Sequence, residues 1–302
     1  MDKKVLVLYY TQSGQLEEVV KSFTRSFIEN GVTVELVRVK PKQDFPFPWT
    51  AARFFDAMPE SVLAKPVDLE SIELKENKYD LVVFAYQPWF LSLSIPANSI
   101  LQNVAIKGIL KNTPVISLIA ARNMWLNSQE RLKKILQLNG ANLVANIALI
   151  DKSANLVSAI TIMYWMFTAK RDKYLGIFPK PGVLEQDVTN TEMYGKTVLE
   201  HLKTGNWAGL QQQLVNQGAV KIQPSLMFVE ERAPRLFYIW ANLITNSKNR
   251  TLWVTVFKYY LLFALFIVAP IILAINALLF QPFMGKSIAA KKKYYLGLSE
   301  NK

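Results

Sequence analysis

The chain has 302 residues, 51% hydrophobic and 19% charged, with 35 Lys plus Arg against 23 Asp plus Glu for a net charge of +12. The absence of cysteine excludes disulfides, thiolate metal sites, iron–sulfur clusters and thiol nucleophiles. A single histidine, His201, excludes multi-histidine metal sites and disfavours a catalytic triad, so no metal site is expected. What remains is the chemistry of an organic cofactor, or none.

The opening KKVLVLYY is strand-like and too short for a signal-peptide core with its cleavage site, so the N-terminal part is expected to fold in the cytoplasm. Strand-length apolar runs follow at 5–10, 32–39, 80–86, 114–120 and 143–150. Their nearly continuous Val, Ile, Leu, Tyr and Phe character suits parallel strands covered on both faces. Helical patterns lie between them at 15–29, 51–63, 97–110 and 127–138. Five strands alternating with helices predict a doubly wound α/β domain with right-handed crossovers. Gly31 and Gly140 stand where helix C-terminal glycines belong.

Beyond the fifth strand the pattern changes. The uncharged stretch NLVSAITIMYWMFT (155–168) is helical and too short to span a bilayer; it reads equally as core or as an interfacial helix with Tyr164 and Trp165 at headgroup depth. A helix over 190–202 closes the α/β domain, with His201 near its C-terminal end as a helix-dipole partner. The domain is expected to end at 205, and 206–302 to form a helical appendage. In it 207–217 is polar and 233–245 amphipathic, with Leu236, Ile239, Trp240, Leu243 and Ile244 on one stripe.

The charge is concentrated at the end of the chain. From Lys248 onward eight basic residues face Glu300 alone, a balance of +7 in 55 residues. Between the basic flanks, 259–284 has no charged residue, which is long enough for the hydrocarbon core of a bilayer. Tyr259, Tyr260, Tyr294 and Tyr295 sit at its ends as interfacial anchors. A buried core helix is the alternative, and Pro270 and Asn276 would permit a kinked, re-entrant pair. This interleaving of charge with lipid-like sequence points to membrane lipid as a partner and not to nucleic acid.

In an open parallel sheet, ligands bind outside the carboxyl ends of the strands, where strand order reverses. After the first strand comes Thr11-Gln12-Ser13-Gly14-Gln15-Leu16, leading into a helix. Hydroxyls, a glycine and a helix N-terminus suit a phosphate, although Ser13 as a plain N-cap explains them as well. Neither G-x-G-x-x-G nor G-x-x-x-x-G-K-[ST] is present, so a mononucleotide fits better than a dinucleotide or an NTP. After the third strand comes Tyr86-Gln87-Pro88-Trp89-Phe90, and after the fourth Ala121-Arg122-Asn123-Met124-Trp125. Aromatic side chains there suit a planar heteroaromatic ring, with polar neighbours for its edge. The aromatic, proline-rich FPFPWT (45–50) either walls a channel or packs as a rigid connection.

The strand order and the T-x-S-G-x loop resemble flavodoxin-like FMN-binding domains over residues 3–203, with an expected sheet order 2-1-3-4-5. That resemblance implies that Thr11, Gln12, Ser13, Gly14, Gln15 and Leu16 hold the FMN phosphate. It also implies that Gln87, Pro88, Trp89, Phe90, Arg122, Asn123 and Trp125 contact the isoalloxazine. Leu16 stands where the family often has Thr, which removes one hydroxyl and leaves the backbone N–H groups.

A narrower resemblance covers almost the whole chain. The phrases VLVLYYTQSGQL, FPFPWT, FFDAMPESVL, YQPWFLS, ARNMWLNSQE and GANLVANI are similar to the bacterial dialkylresorcinol condensing enzymes of dialkylresorcinol-lipid and flexirubin-pigment clusters. The resemblance implies an aromatase: a ketosynthase partner makes a dialkyl cyclohexanedione, which this component oxidises to the resorcinol. Arg122 would steady an enolate oxygen, with Tyr86 or Asn123 hydrogen-bonding it. The expected setting is the cytoplasmic face of the inner membrane, with a homo-oligomer as a further assembly to consider. Two alternatives stay open: a membrane-bound quinone or NAD(P)H reductase on the same fold, and a non-catalytic scaffold for the ketosynthase.

Overall fold

The computed structural model describes residues 3–280 and 284–299. Its centre is a five-stranded parallel sheet of β1 (Lys4–Tyr9), β2 (Thr33–Arg38), β3 (Leu81–Tyr86), β6 (Pro114–Ala121) and β7 (Asn142–Ile150), in the order β2-β1-β3-β6-β7. Counting only these five strands, the order is the expected 2-1-3-4-5. Strands β4 (Pro88–Trp89) and β5 (Ser92–Leu93) form a separate two-stranded hairpin directly after β3.

Burial follows strand position. In β1 the run Val5–Leu8 is fully buried, and every residue of β3 is buried, as a central parallel strand under helices on both faces requires. The edge strand β2 is largely exposed; the Glu35 carboxylate accepts from Lys75 N–H, drawing the following loop over that edge. At the other edge, Ala148 N–H donates to Ala219 O and Asn146 N–H to Gln211 Oε1. Sheet edges left bare invite pairing with other chains, and here local segments cover both.

Helix α1 (Gln15–Glu29) buries Leu16, Val19, Val20, Phe23 and Phe27, an i, i+3, i+4 stripe against the sheet. Its partner is α8 (Glu185–Thr204), and the approach is close: a Cβ on Gly195 would stand 2.0 Å from Phe23 O. The 51–63 pattern resolves into α2 (Ala51–Asp56) and α3 (Met58–Val62). Likewise 97–110 becomes α4 (Ile95–Gln102) and α5 (Val104–Leu110), while α6 (Leu126–Leu138) follows β6. Helix α7 (Asn155–Thr168) buries Ser158, Ala159, Thr161 and Trp165 and belongs to the body of the protein.

After α8 come α9 (Leu210–Asn216), α10 (Pro224–Glu230) and α11 (Ala233–Asn246). Leu210, Leu214, Ala219, Val220, Ile222 and Met227 join the main core, so the segment after 206 is packed onto the α/β body from its start. The long apolar helix then runs unbroken from Arg250 to Leu279, 30 residues. It comprises α12 (Arg250–Phe263), a π-helical turn (Ala264–Val268), α13 (Ala269–Ile275) and a second π-helical stretch from Asn276. Pro270 lacks the N–H for an i−4 bond and crowds that carbonyl, and the first π-turn lies directly before it. The re-entrant pair considered above is therefore not formed: Pro270 and Asn276 are absorbed by π-turns within one helix. Gln281, Pro282 and Phe283, the last part of the expected 259–284 segment, lie outside the described residues.

The start of this helix and the chain that follows it are tied to the same body. Arg250 donates from Nε to Asp56 (2.7 Å), from Nη1 to Glu60 Oε1 (3.0 Å) and from Nη2 to Glu60 Oε2 (2.8 Å). Beyond the helix, α14 (Gly285–Leu296) returns to the core through Ile288, Tyr295 and Leu296. Lys291 pairs with Glu231 at 2.6 Å, and Tyr294 OH donates to Glu130 at 2.5 Å.

Candidate functional site

A cavity of about 220 Å³ lies at the carboxyl ends of β1, β3 and β6. Gln12, Ser13, Gln15 and Leu16 line it from the first loop, Gln87–Phe90 from the β4 hairpin, and Ala120, Ala121 and Arg122 from the end of β6. Its roof is α7, through Ile162, Met163, Trp165, Met166 and Phe167, with Trp49 and Phe54 from the α2 side.

The first loop is shaped by its own side chains. Gly14 adopts φ +90, a left-handed conformation that favours glycine, and its N–H donates to Thr11 Oγ1 at 3.1 Å. Gln12 is committed elsewhere: its amide donates to Pro46 O (2.9 Å) and Phe45 O (3.2 Å) and accepts from Tyr10 OH. Gln15 is a staple, with both amide atoms on the Val183 backbone at 2.7 and 3.0 Å. The Ser13 side chain does not cap α1, and the helix has no side-chain cap at all. The N–H groups of Gln15 and Leu16, at the first two helical positions, have no intrahelical acceptor by geometry. The phosphate-suited donors here are thus Ser13 and two backbone amides; Thr11, Gln12 and Gln15 build the loop that presents them.

The hairpin holds the ring-sized part of the cavity. Its turn residues Phe90 and Leu91 have φ +48 and +60, the left-handed pair that a tight hairpin turn demands, without the usual Asn-Gly. Hydrogen bonds hold this strained turn: Ser61 Oγ donates to Trp89 O and Leu93 O, both at 3.0 Å, and Asn127 Nδ2 to Leu91 O at 2.5 Å. Trp89 lies edge-on to Tyr10, Phe45 and Trp49, with ring centroids 6.1, 5.0 and 5.4 Å away. Beside it the Gln87 Nε2 amide is buried with no hydrogen-bond partner. A buried donor left unsatisfied costs about 1–3 kcal/mol, so this position awaits an acceptor.

Arg122 reaches the cavity from the end of β6. Its Nη1 is fixed by Asn155 O (2.9 Å) and Asn155 Oδ1 (3.0 Å). Burial lowers its pKa to about 10, opposed by the charges of Asp151 and Glu230, so it stays protonated at neutral pH. Five expected residues do not line the cavity: Thr11 and Gly14, which shape the first loop, and Tyr86, Asn123 and Trp125. Tyr86 is buried beneath α6, its hydroxyl 3.1 Å from Gln129 Oε1 and 3.4 Å from Ser128 Oγ, with its pKa raised by burial. Asn123 is buried and bonded to Asn155, and Trp125 is core. The appendage packs next to this region. Glu230 of α10 sits on the N-terminus of α6, accepting from Leu126 N–H at 2.7 Å and Asn127 N–H at 3.4 Å, over the loop those residues occupy. Tyr86, Asn123 and Trp125 thus lie behind the cavity wall and not on it.

Sequence reasoning missed the α7 wall. Its signal was present in the uncharged run IMYWMF, read as core or interface; the cavity lies on the side bearing Ile162, Met163, Met166 and Phe167. Arg171 stacks over Trp165, 5.4 Å from its ring centroid, and a Cβ on Gly182 would stand 2.7 Å from that ring. His201 is remote from all this, its ring nitrogens facing Asn206 O and Gln213 Oε1.

Sheet order and cavity position define a flavodoxin-like α/β protein. No protein-family model matches the chain, and no curated protein does. Solved structures match in part. A flavoprotein from Lactobacillus acidophilus in complex with FMN aligns over 48% of this chain and 92% of its own, at 18% identity and TM-score 0.40. A flavodoxin from the domain Archaea aligns over 66% of this chain and 99% of its own, at 10% identity and TM-score 0.39. A flavone reductase aligns over 66% and 63%, at 12% identity and TM-score 0.35.

Proposed function

We propose that this chain is an FMN-binding oxidoreductase seated on a membrane, and that it oxidises a dialkyl cyclohexanedione to a dialkylresorcinol. The observation that carries the FMN reading is the pairing, in one cavity, of an uncapped helix N-terminus with the orphaned Gln87 amide under an aromatic wall. The residues present fit the cofactor. Ser13 and the amides of Gln15 and Leu16 would hold its phosphate, favoured by the helix dipole. Gln87 Nε2 would donate to an acceptor on the ring edge, and the Trp89 side of the cavity would cover its apolar part.

FMN, when bound, supplies an acceptor for a hydride and a proton, which is the two-electron, two-proton difference between a cyclohexanedione and a resorcinol. The protein's part is enolisation and orientation. Arg122, protonated and anchored by Asn155, can hold the substrate's enolate oxygen. The aromatic and methionine side chains of the roof give the reacting ring an apolar cover. The substrate identity rests on the resemblance of the phrases quoted above to the dialkylresorcinol family. A ketosynthase remains the proposed partner.

The membrane seat rests on the helix Arg250–Leu279, whose most apolar window is only 6% buried within the protein. At 1.5 Å per residue its length is about 45 Å. A helix crossing a bilayer would put its two flanks on opposite sides, yet here Arg250 at its start and α14 after it dock on one body. The proposed arrangement is therefore a helix lying in one leaflet, on the cytoplasmic side.

The test is the absorbance spectrum of the detergent-solubilised full chain, followed by anaerobic addition of a dialkyl cyclohexanedione. The expected result is flavin absorbance that bleaches as resorcinol forms, read by mass spectrometry. Colourless protein that takes up no added FMN overturns the flavin reading. Bleaching by NAD(P)H with no response to the diketone favours the reductase.

A further inference from the structure

Two apolar clusters meet at the cavity. One contains Trp49 and Trp89; the other is built on α2, α3, α11 and α12. Phe54 and Phe90 pack in both, and both line the cavity. From Phe90 the rings continue outward, with centroid separations of 6.4 Å to Phe237 and 6.5 Å to Phe257. Phe257 lies 5.7 Å from Trp240, which lies 5.0 Å from Tyr260. Phe257 itself is fully buried, while Tyr259 and Phe263 on the same helix are 62% and 58% exposed. A seam of aromatic rings thus connects the cavity to the bare apolar side of the long helix.

The cavity is chemically two-ended. Ser13, Gln87 and Arg122 give it a polar side; Phe54 and Phe90 give it an apolar one, at the head of the seam. The seam's ring contacts are tilted or edge-on, and no hydrogen bond is lost when rings turn aside for a hydrocarbon chain. The seam cannot drift at its root, because Arg250 clamps the start of α12 to Asp56 and Glu60. Phe257 lies two helical turns further on.

We infer that the cavity takes an amphiphile whose polar ring lies toward Arg122 and whose hydrocarbon chain runs past Phe90 along the Phe237–Phe257 seam toward the lipid, Phe257 controlling its passage. This deepens the proposed function and rests on its ring site and membrane seat.

The experiment uses the full chain in phosphatidylcholine nanodiscs and a dodecylresorcinol with a diazirine at the chain terminus. After irradiation, labelled peptides are mapped by mass spectrometry. Label is expected on the peptides containing Phe237–Trp240 and Phe257–Tyr260, suppressed by excess dodecylresorcinol and not by methylresorcinol. Phe257→Trp and, from the facing helix, Phe237→Trp should each cut the label by about fivefold, the equivalent of roughly 1 kcal/mol of overpacking. Leu278→Trp, on the exposed side, should leave it unchanged. Label spread along 267–279 and indifferent to competitor, or unchanged in both seam variants, overturns the inference. Seam labelling without flavin bleaching keeps the chain site and removes the proposed reaction; bleaching with an unlabelled seam does the reverse.

Discussion

Glu230 offers a sharp test of how the appendage is joined to the α/β body. The side chain is 4% exposed and its carboxylate accepts the first two N–H groups of α6. Burial nevertheless dominates and raises its pKa from 4.5 to about 8, the backbone N–H bonds and Arg122 opposing. A carboxyl that holds its proton more tightly when folded adds stability below the unfolded pKa and loses it as pH rises toward the folded one. Stability should therefore fall between about pH 4.5 and pH 8 and level off above. At 1.36 kcal/mol per pKa unit, the full window is worth on the order of 3–5 kcal/mol. Glu230→Gln keeps an acceptor for Leu126 N–H and abolishes the titration. Denaturant unfolding of both proteins at half-unit steps from pH 5 to 8 measures the difference. The wild type should lose stability across this range, with a slope that the variant lacks. An equal slope in both, or wild-type stability rising with pH, would refute the reasoning.

Gly195→Ala forces a methyl into Phe23 O at the α1–α8 contact, and should cost about 2–4 kcal/mol, read as a lowered unfolding midpoint. An unchanged midpoint would mean the two helices separate freely. Because the chain has no native cysteine, Lys248→Cys and Lys286→Cys place single thiols before and after the long helix. Both should react with an impermeant maleimide from the same side of sealed vesicles; labelling from opposite sides would establish a crossing helix. Gln87→Leu should weaken FMN binding about tenfold through loss of one buried hydrogen bond, measured by fluorescence titration, and an unchanged affinity would remove Gln87 from the ring site.

The sheet was legible because parallel central strands are written as uninterrupted apolar runs, and β1 and β3 are such runs. The hairpin was not. A two-residue turn is normally announced by Asn or Gly, and Phe90-Leu91 adopts the left-handed pair only because Ser61 and Asn127 hold it from distant elements. The same kind of long-range packing hid the fate of the β6 loop. Arg122, Asn123 and Trp125 are equivalent in sequence, each just past a strand end, yet only Arg122 reaches the cavity. Their side chains are placed by distant partners, Asn155 for Arg122 and Asn123 and the main core for Trp125, and local spacing holds no information about either. The short helices α10 and α14 escaped notice for a related reason: they are fixed by Glu230, Lys291 and Tyr294 contacts more than by their own periodicity.

Two helices begin at the carboxyl edge of the sheet near one another, and their N-termini have been treated in opposite ways. On α6 the positive end is occupied by the protein's own Glu230 carboxylate. On α1 the cap position is a left-handed glycine with no side-chain oxygen; Thr11 accepts from that glycine's own N–H, Gln12 and Gln15 bond backbone elsewhere, and none of them takes the N–H groups of the first turn. An uncapped N-terminus leaves orphan donors, a state stable proteins avoid unless water or a ligand satisfies them. Of these two N-termini, the one on α1 is thus left for an external anion. Away from that helix end the cavity is bounded by Phe54 and Phe90, which also pack in the cluster built with α11 and α12.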